Sequence, residues 1–272
     1  MAIEPRDDGL EIPEVGPWAK RKYHYLGRYL DAFTTSMKSK PWSGLFFIDL
    51  FCGAGFARIR GTDEIVEGSP ILASNVRFPF TQLLLCDASR ANTDACSRRL
   101  AQAPLPNPPI VFTGDSNQLV YKILEGIPPR GLGVAFIDPF NLGGITFETI
   151  RAISTRNCDL IILLPDHMDA LRNASAYYEG NPESNLDRFL GNGSRWRELL
   201  GDGNASIRAQ RLREMYSQQL SKMGYRHFDG IRVSNRSDTP LYYLLFASRH
   251  PAGLRLWQRV GLIDEGGQRE LF

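Results

Sequence analysis

The chain has 272 residues, 43% hydrophobic and 23% charged, which is enough to bury a large core and unlike a disordered polypeptide. Its formal charge of +2 gives no global attraction to nucleic acid, although arginine far outnumbers lysine among its 32 basic residues and suits local bidentate contacts to phosphate or carboxylate. The acidic, proline-broken N-terminus is unlike a signal peptide, no apolar run is long enough to span a membrane, and Cys52, Cys86, Cys96 and Cys158 have neither metal nor disulfide spacing; a cytoplasmic protein with reduced thiols and no metal is expected.

Residues 1–17 read as a loose or surface-laid arm, and 18–272 as the main domain. After Pro17 an amphipathic helix is expected, with Leu26, Tyr29, Leu30, Phe33 and Met37 on one stripe. Lys20, Arg21 and Lys22 gather at its start, the unfavourable end for positive charge. They read either as a solvated surface or as a site for something negative.

Leu45 to Phe56, LFFIDLFCGAGF, organises the rest: an apolar strand ends in Asp49 and runs into a turn built on Gly53 and Gly55. Such a turn lets backbone approach a nucleotide-type ligand where a Cβ would collide. A dinucleotide fingerprint would need a third glycine where Arg58 stands. The polar Ala57–Glu67 stretch reads as a loop inserted beside this turn, with the character of a lid, and a helix is expected to follow from Gly68-Ser69-Pro70.

QLLLCD, Gln82 to Asp87, is a second strand ending in acid, and Asp87 is placed to accept both hydroxyls of a ribose, with helix capping as its other role. IVFTGDSN, Ile110 to Asn117, is a third strand with a polar end, where Gly114-Asp115 is also a plain turn signal. GVAFIDPFNLGG, Gly133 to Gly144, again ends an apolar strand in acid, and Pro139 turns the chain. Asp138, Pro139 and Phe140 are the candidate catalytic group: a carboxylate for an amine gaining charge, and an aromatic face for the acceptor. Asp138 could instead cap the following helix or brace the Pro139 turn. Asn141 stands beside them as a candidate substrate contact.

ITFETIRAI then reads as a helix and DLIILLP as a fifth strand. Residues 166–204 are irregular and read as a substrate- or partner-facing insertion, with Tyr177, Tyr178, Arg195 and Trp196 as contacts, or as a small helical subdomain packed by those aromatics. A helix over IRAQRLREMYSQQLSKMG, an antiparallel hairpin from YRHFDGIRVSN and TPLYYLLFASRH, and a last helix at LRLWQRVGL complete the pattern. Seven strands result. The expected fold is α/β, a doubly wound, mostly parallel, Rossmann-like sheet with an antiparallel terminal strand and an inserted segment.

DLFCGAG resembles motif I of class I S-adenosylmethionine-dependent methyltransferases, and its wording is similar to that of cytosine-5 DNA methyltransferases. The Pro-Cys nucleophile of the latter is missing, since Cys52 belongs to the glycine turn. The resemblance implies S-adenosylmethionine at Asp49, Gly53, Gly55, Asp87 and Asp115. Asp138-Pro139-Phe140 matches in part the motif of amino-methylating enzymes, with Phe140 where a second proline would stand.

The whole chain from about Trp18 to Val260, through KYHYLGRYL, IDLFCGAG, EGSP, FIDPFNLGG and LYYLLFASRHPAGLRLWQRV, resembles the three-Cys-motif partner protein family (TcmP). Members usually have glycine where Asn141 stands. The family implies a partner, a three-Cys-motif protein similar to radical S-adenosylmethionine enzymes. It is compatible with methyl transfer to a nitrogen of a nucleic acid base or nucleotide-like acceptor, or with a docking module that has a methyltransferase fold and little or no turnover.

Overall fold

The computed structural model describes residues 2–166, 183–191, 195–200, 204–235 and 237–261. Its first half contains β1 (Glu14–Val15), α1 (Ala19–Met37), β2 (Leu45–Asp49), β3 (Phe56–Ile59), β4 (Ile65–Glu67), α2 (Ser69–Ser74), β5 (Gln82–Asp87), α3 (Arg90–Leu100), β6 (Ile110–Thr113), α4 (Ser116–Glu125) and β7 (Leu132–Ile137). A 3₁₀ turn (Leu142–Gly144), α5 (Phe147–Ile153), β8 (Asn157–Leu164), α6 (Asn185–Leu190), α7 (Arg195–Leu200), α8 (Ala205–Lys222), β9 (His227–Ser234), β10 (Pro240–Ser248) and α9 (Pro251–Gly261) follow.

Seven strands pair in the order β6-β5-β2-β7-β8-β10-β9. β6, β5, β2, β7 and β8 are mutually parallel, and β10 runs antiparallel to both of its neighbours. The strands are apolar runs because both faces of a parallel sheet are covered. Phe46 and Ile48 of β2 belong to one core with α4, α5, α6 and α8, while Phe47 belongs to the other with α1, α2, α3 and α9. The strands and the terminal hairpin expected from the sequence are thus present. Among the described residues no helix is long and apolar enough to cross a membrane.

Two segments differ from expectation, and the arm resolves between its two readings. The Ala57–Glu67 stretch is a hairpin, β3 against β4, whose chain returns to its origin: the Gly68 amide donates to the Gly55 carbonyl at 2.7 Å. Polar residues suit it because one face of so small a sheet meets water. The arm is surface-laid, one of the two readings of the sequence: β1 joins β3 in parallel and Arg58 pairs with Asp7 at 3.1 Å. The sequence reading also passed over α4, whose buried Val120, Ile123 and Leu124 give it an apolar face.

Candidate functional site

Parallel pairing of β6, β5, β2 and β7 brings Asp115, Asp87, Asp49 and Asp138 to one edge of the sheet. Asp49 pairs with Leu85 on one side and Phe136 on the other, so Asp87 and Asp138 each stand two residues further along the rim. Thr113 is opposite Asp87, and Asp115 follows beyond it. The sequence reading expected these four acids at one rim, and the register places them there.

Asp49 is fully buried. Its Oδ1 accepts from the Phe51 amide at 3.0 Å, while Oδ2 has no hydrogen bond of normal geometry. Burial pushes its pKa up to about 7; the nearby Ser69 hydroxyl and the Phe51 amide pull it down, and Asp138 and Asp87 push it further up. Gly53 and Gly55 have φ of 59° and 89°, which L side chains rarely adopt. A Cβ on Gly53 would meet nothing within 4 Å, whereas one on Gly55 would lie 3.3 Å from Ile71. Open space therefore lies beside Gly53, and Gly55 faces the protein. The orphaned, buried oxygen and the open turn fit a ligand that carries a cation.

Asp87 ties the second strand to the turn. Its Oδ2 accepts from the Gly53 amide at 2.9 Å, and Oδ1 from the Ser89 amide at 2.9 Å and Asn92 Nδ2 at 3.0 Å. A carboxylate has about four acceptor sites, so about one is left. The N-cap of α3 is Ser89 rather than Asp87. Asp115 is exposed and does cap a helix, α4, accepting from the Asn117 amide and Nδ2 at 2.9 Å each. Asn117 in turn donates to the Gly144 carbonyl at 3.1 Å and accepts from Thr149 Oγ1 at 2.7 Å, joining this loop to the one after β7.

At that loop Asp138 Oδ2 accepts from Lys22 Nζ at 2.5 Å. Burial alone would lower the Lys22 pKa, but Asp138 beside it outweighs this and the net shift is upward. The ammonium also lies 4.8 Å from the centre of the Tyr23 ring. Capping of α5 by Asp138 does not occur, since its N-cap is Thr146. Pro139 is buried, Phe140 is 97% exposed, and Asn141 turns its Oδ1 to the Gly143 amide at 2.9 Å.

Of the candidate contacts in the insertion, Trp196 alone has a described side chain. Tyr177 and Tyr178 lie outside the described residues, as does the side chain of Arg195. Trp196 is 1% exposed, packs in the α4–α8 core and donates Nε1 to Asp187 Oδ1 at 2.7 Å. That burial corrects its placement as a substrate contact: it is a packing residue, as the helical-subdomain alternative has it. A cleft of about 530 Å³, lined in part by Arg21, Asp229, Arg232 and Trp257, lies at the β9 edge and includes none of the rim carboxylates.

Sequence reasoning missed Lys22. The signal was present, because Lys22 lies four residues before Leu26 and seven before Tyr29, on the buried stripe of α1. A lysine there must find a buried anion. The negative group suggested by the basic cluster is the protein's own: Asp138 for Lys22 and Glu64, on the inserted hairpin, for Lys20.

No family model matches the sequence, and no curated protein matches it. Among solved structures, protein LPL1258 from Legionella pneumophila superposes with a TM-score of 0.51 at 14% identity, covering 94% of this chain and 96% of that one. An O-methyltransferase from Bacillus cereus solved with SAH gives 0.46 at 12% identity, covering 88% and 84%. The O-methyltransferase TomG from Streptomyces achromogenes gives 0.46 at 12%, covering 89% and 93%. At these identities the likeness is one of fold. By its strand order, with the reversed β10 inserted between β8 and β9, the chain has the Rossmann-like class I methyltransferase fold.

Proposed function

We propose that the chain binds S-adenosylmethionine at the rim of β2, β5, β6 and β7 and transfers its methyl group to a nitrogen of a nucleic acid base or nucleotide-like acceptor. The observation that carries this reading is the buried, half-satisfied Asp49 beside the open Gly53 turn, within a row of acids. S-adenosylmethionine supplies an activated methyl on a sulfonium and also carries an ammonium, so an acidic rim complements it. Asp49 serves the cationic part of the donor. Asp87 offers its remaining acceptor site to the ribose while holding Gly53, and Asp115 offers its free oxygen to the adenine amino group. Asp138, fixed by Lys22, accepts from the attacking nitrogen as that atom gains charge, and exposed Phe140 offers a face to a planar acceptor.

The three-Cys-motif partner belongs to this proposal through the TcmP resemblance, and so does a reducing, cytoplasmic setting, with which four free, buried cysteines agree. A docking module with little turnover is the second reading. Its support is that Asp138 and Asp87 already have protein partners.

Calorimetry with S-adenosylhomocysteine tests the donor site, and the donor reading fails if the native chain binds none. Incubation with labelled donor, partner and cell-extracted nucleic acids then separates the two functions. Label in a nucleic acid or nucleotide fraction supports transfer; firm donor binding with no label anywhere supports docking.

A further inference from the structure

We infer that Arg99 and Asp8 form a positioning unit for the donor turn, which makes the N-terminal arm part of the cofactor site. The inference rests on the donor-binding reading above. Arg99 projects from α3 with only 2% of its side chain exposed. Its Nε and Nη2 donate to Asp8 Oδ2 and Oδ1 at 2.9 and 2.6 Å, a fork-to-fork pair. Nη1 donates to the Glu11 carbonyl at 2.8 Å and to the Ala54 carbonyl at 2.6 Å. Four of the five guanidinium donors are thus used, and the plane lies 4.4 Å from the centre of the Phe56 ring.

Ala54 is the residue between the two left-handed glycines, and it is itself buried. Its carbonyl faces away from water, so Arg99 satisfies it where a missing donor would leave an orphaned acceptor. A buried guanidinium in turn needs an anion, and Asp8 supplies it from the arm. The Arg99 guanidinium holds the Asp8 carboxyl below its usual pKa, against the opposing effect of its partial burial. Removing Asp8 therefore removes the reason for Arg99 to stay where it holds Ala54, although Asp8 touches no residue of the rim. The coupling runs from the arm, through Arg99, to the peptide between Gly53 and Gly55.

The test compares native protein, Asp8→Ala, Asp8→Asn, Arg99→Ala and Arg99→Lys, with Tyr225→Phe as a control. The control removes a buried hydrogen bond to the Cys158 carbonyl at the start of β8, the opposite end of the sheet. Two quantities are read: affinity for S-adenosylhomocysteine, and amide hydrogen exchange of the Cys52–Gly55 segment. Asp8→Ala is expected to weaken binding roughly tenfold and to speed exchange in that segment by a similar factor. Asp8→Asn, which keeps the shape and loses the charge, falls between. Arg99→Lys keeps the ion pair but cannot reach both Asp8 and Ala54, so it recovers melting temperature relative to Arg99→Ala without recovering affinity. Tyr225→Phe lowers the melting temperature and leaves both quantities near native.

Binding by Asp8→Ala within about twofold of native, with unchanged exchange, overturns the inference. An equal loss in the Tyr225→Phe control does so too, because the effect would then be global. If the native chain itself binds no S-adenosylhomocysteine, the donor reading falls and the exchange measurement alone decides whether the arm holds the turn.

Discussion

Lys22 on the first long helix and Asp138 at the end of β7 form an ion pair with side chains only 10% and 15% exposed. It fixes the position of α1 over the rim and the direction of the candidate catalytic carboxylate together. Removing one partner leaves the other charge buried without compensation, which costs on the order of 3–5 kcal/mol, whereas removing both costs far less. Lys22→Met is therefore expected to destabilise more than the Lys22→Met/Asp138→Asn double variant in urea unfolding. Because the Lys22 pKa is raised, its contribution is complete below the ordinary lysine value near 10 and is lost only at higher pH. Titration of Lys22 itself should therefore add no pH dependence to native stability from pH 6 to pH 9.

The same pair separates binding from chemistry. Asp138 stands beside the proposed acceptor and does not hold the donor turn, so Asp138→Asn should lower turnover far more than affinity for S-adenosylhomocysteine. Near-native turnover by a folded Asp138→Asn protein would remove the catalytic assignment. A loss of donor affinity as large as that of Asp87→Ala would move Asp138 into the cofactor site.

Asp49 gives a pH signature of the same sign in a much lower window. Its folded pKa is raised from 3.8 to about 7, so between those values the native state holds a proton that the unfolded chain releases. Stability from this group is present at pH 4, declines as pH rises to about 7, and is flat above. Asp49→Asn, which keeps the acceptor for the Phe51 amide, should raise the stability of the ligand-free protein at pH 8 by on the order of 2–4 kcal/mol and leave it nearly unchanged at pH 4. Donor affinity should behave inversely, strengthening from pH 6 to pH 8 as Asp49 ionises to meet the ammonium, by roughly tenfold. A native affinity independent of pH over that range would separate Asp49 from the donor's cation.

The sheet was legible because each central strand is an apolar run ending in acid, and that pattern survives without any knowledge of tertiary contacts: Ile48-Asp49, Cys86-Asp87 and Ile137-Asp138 all lie where the alternation of strands and helices put them. Partner choice was not legible. The α1 stripe marks Lys22 as buried, but nothing local says that its anion is Asp138 just past β7, that the anion of Lys20 is on the inserted hairpin, or that Arg99 reaches back to Asp8. The Ala57–Glu67 stretch was misread, and the pairing of the arm missed, for a related reason. Their strands are two to four residues long and exist because β1, β3 and β4 pair with one another, a long-range contact that short-range periodicity does not carry.

Asp87 and Asp115 have different expected costs because their protein contacts differ. Asp87→Ala removes the acceptor of the Gly53 amide as well as any ribose contact, so it should weaken S-adenosylhomocysteine by on the order of 2–4 kcal/mol and also loosen the turn. Asp115→Ala removes an exposed cap of α4, costing about 1 kcal/mol of stability, and one adenine contact. Calorimetry with S-adenosylhomocysteine and thermal melts of both variants check the order. Equal effects on donor affinity would mean that the Gly53 contact contributes nothing to binding.

Phe140 offers the cleanest separation of acceptor from donor. At 97% exposure its ring makes almost no packing contribution, so Phe140→Ala should change stability by no more than about 0.5 kcal/mol. An exposed aromatic directly after Asp138-Pro139 is poised to cover a planar base, where stacking contributes about 1–3 kcal/mol per base. Phe140→Ala should therefore raise the KM for the acceptor by roughly tenfold or more while leaving S-adenosylhomocysteine affinity at the native value. Phe140→Tyr, which keeps the aromatic face, should restore most of the loss, and Phe140→Leu, which keeps only apolar bulk, should restore little. Equal rescue by leucine would replace stacking with simple hydrophobic contact. An unchanged acceptor KM in Phe140→Ala would place the acceptor elsewhere on the rim.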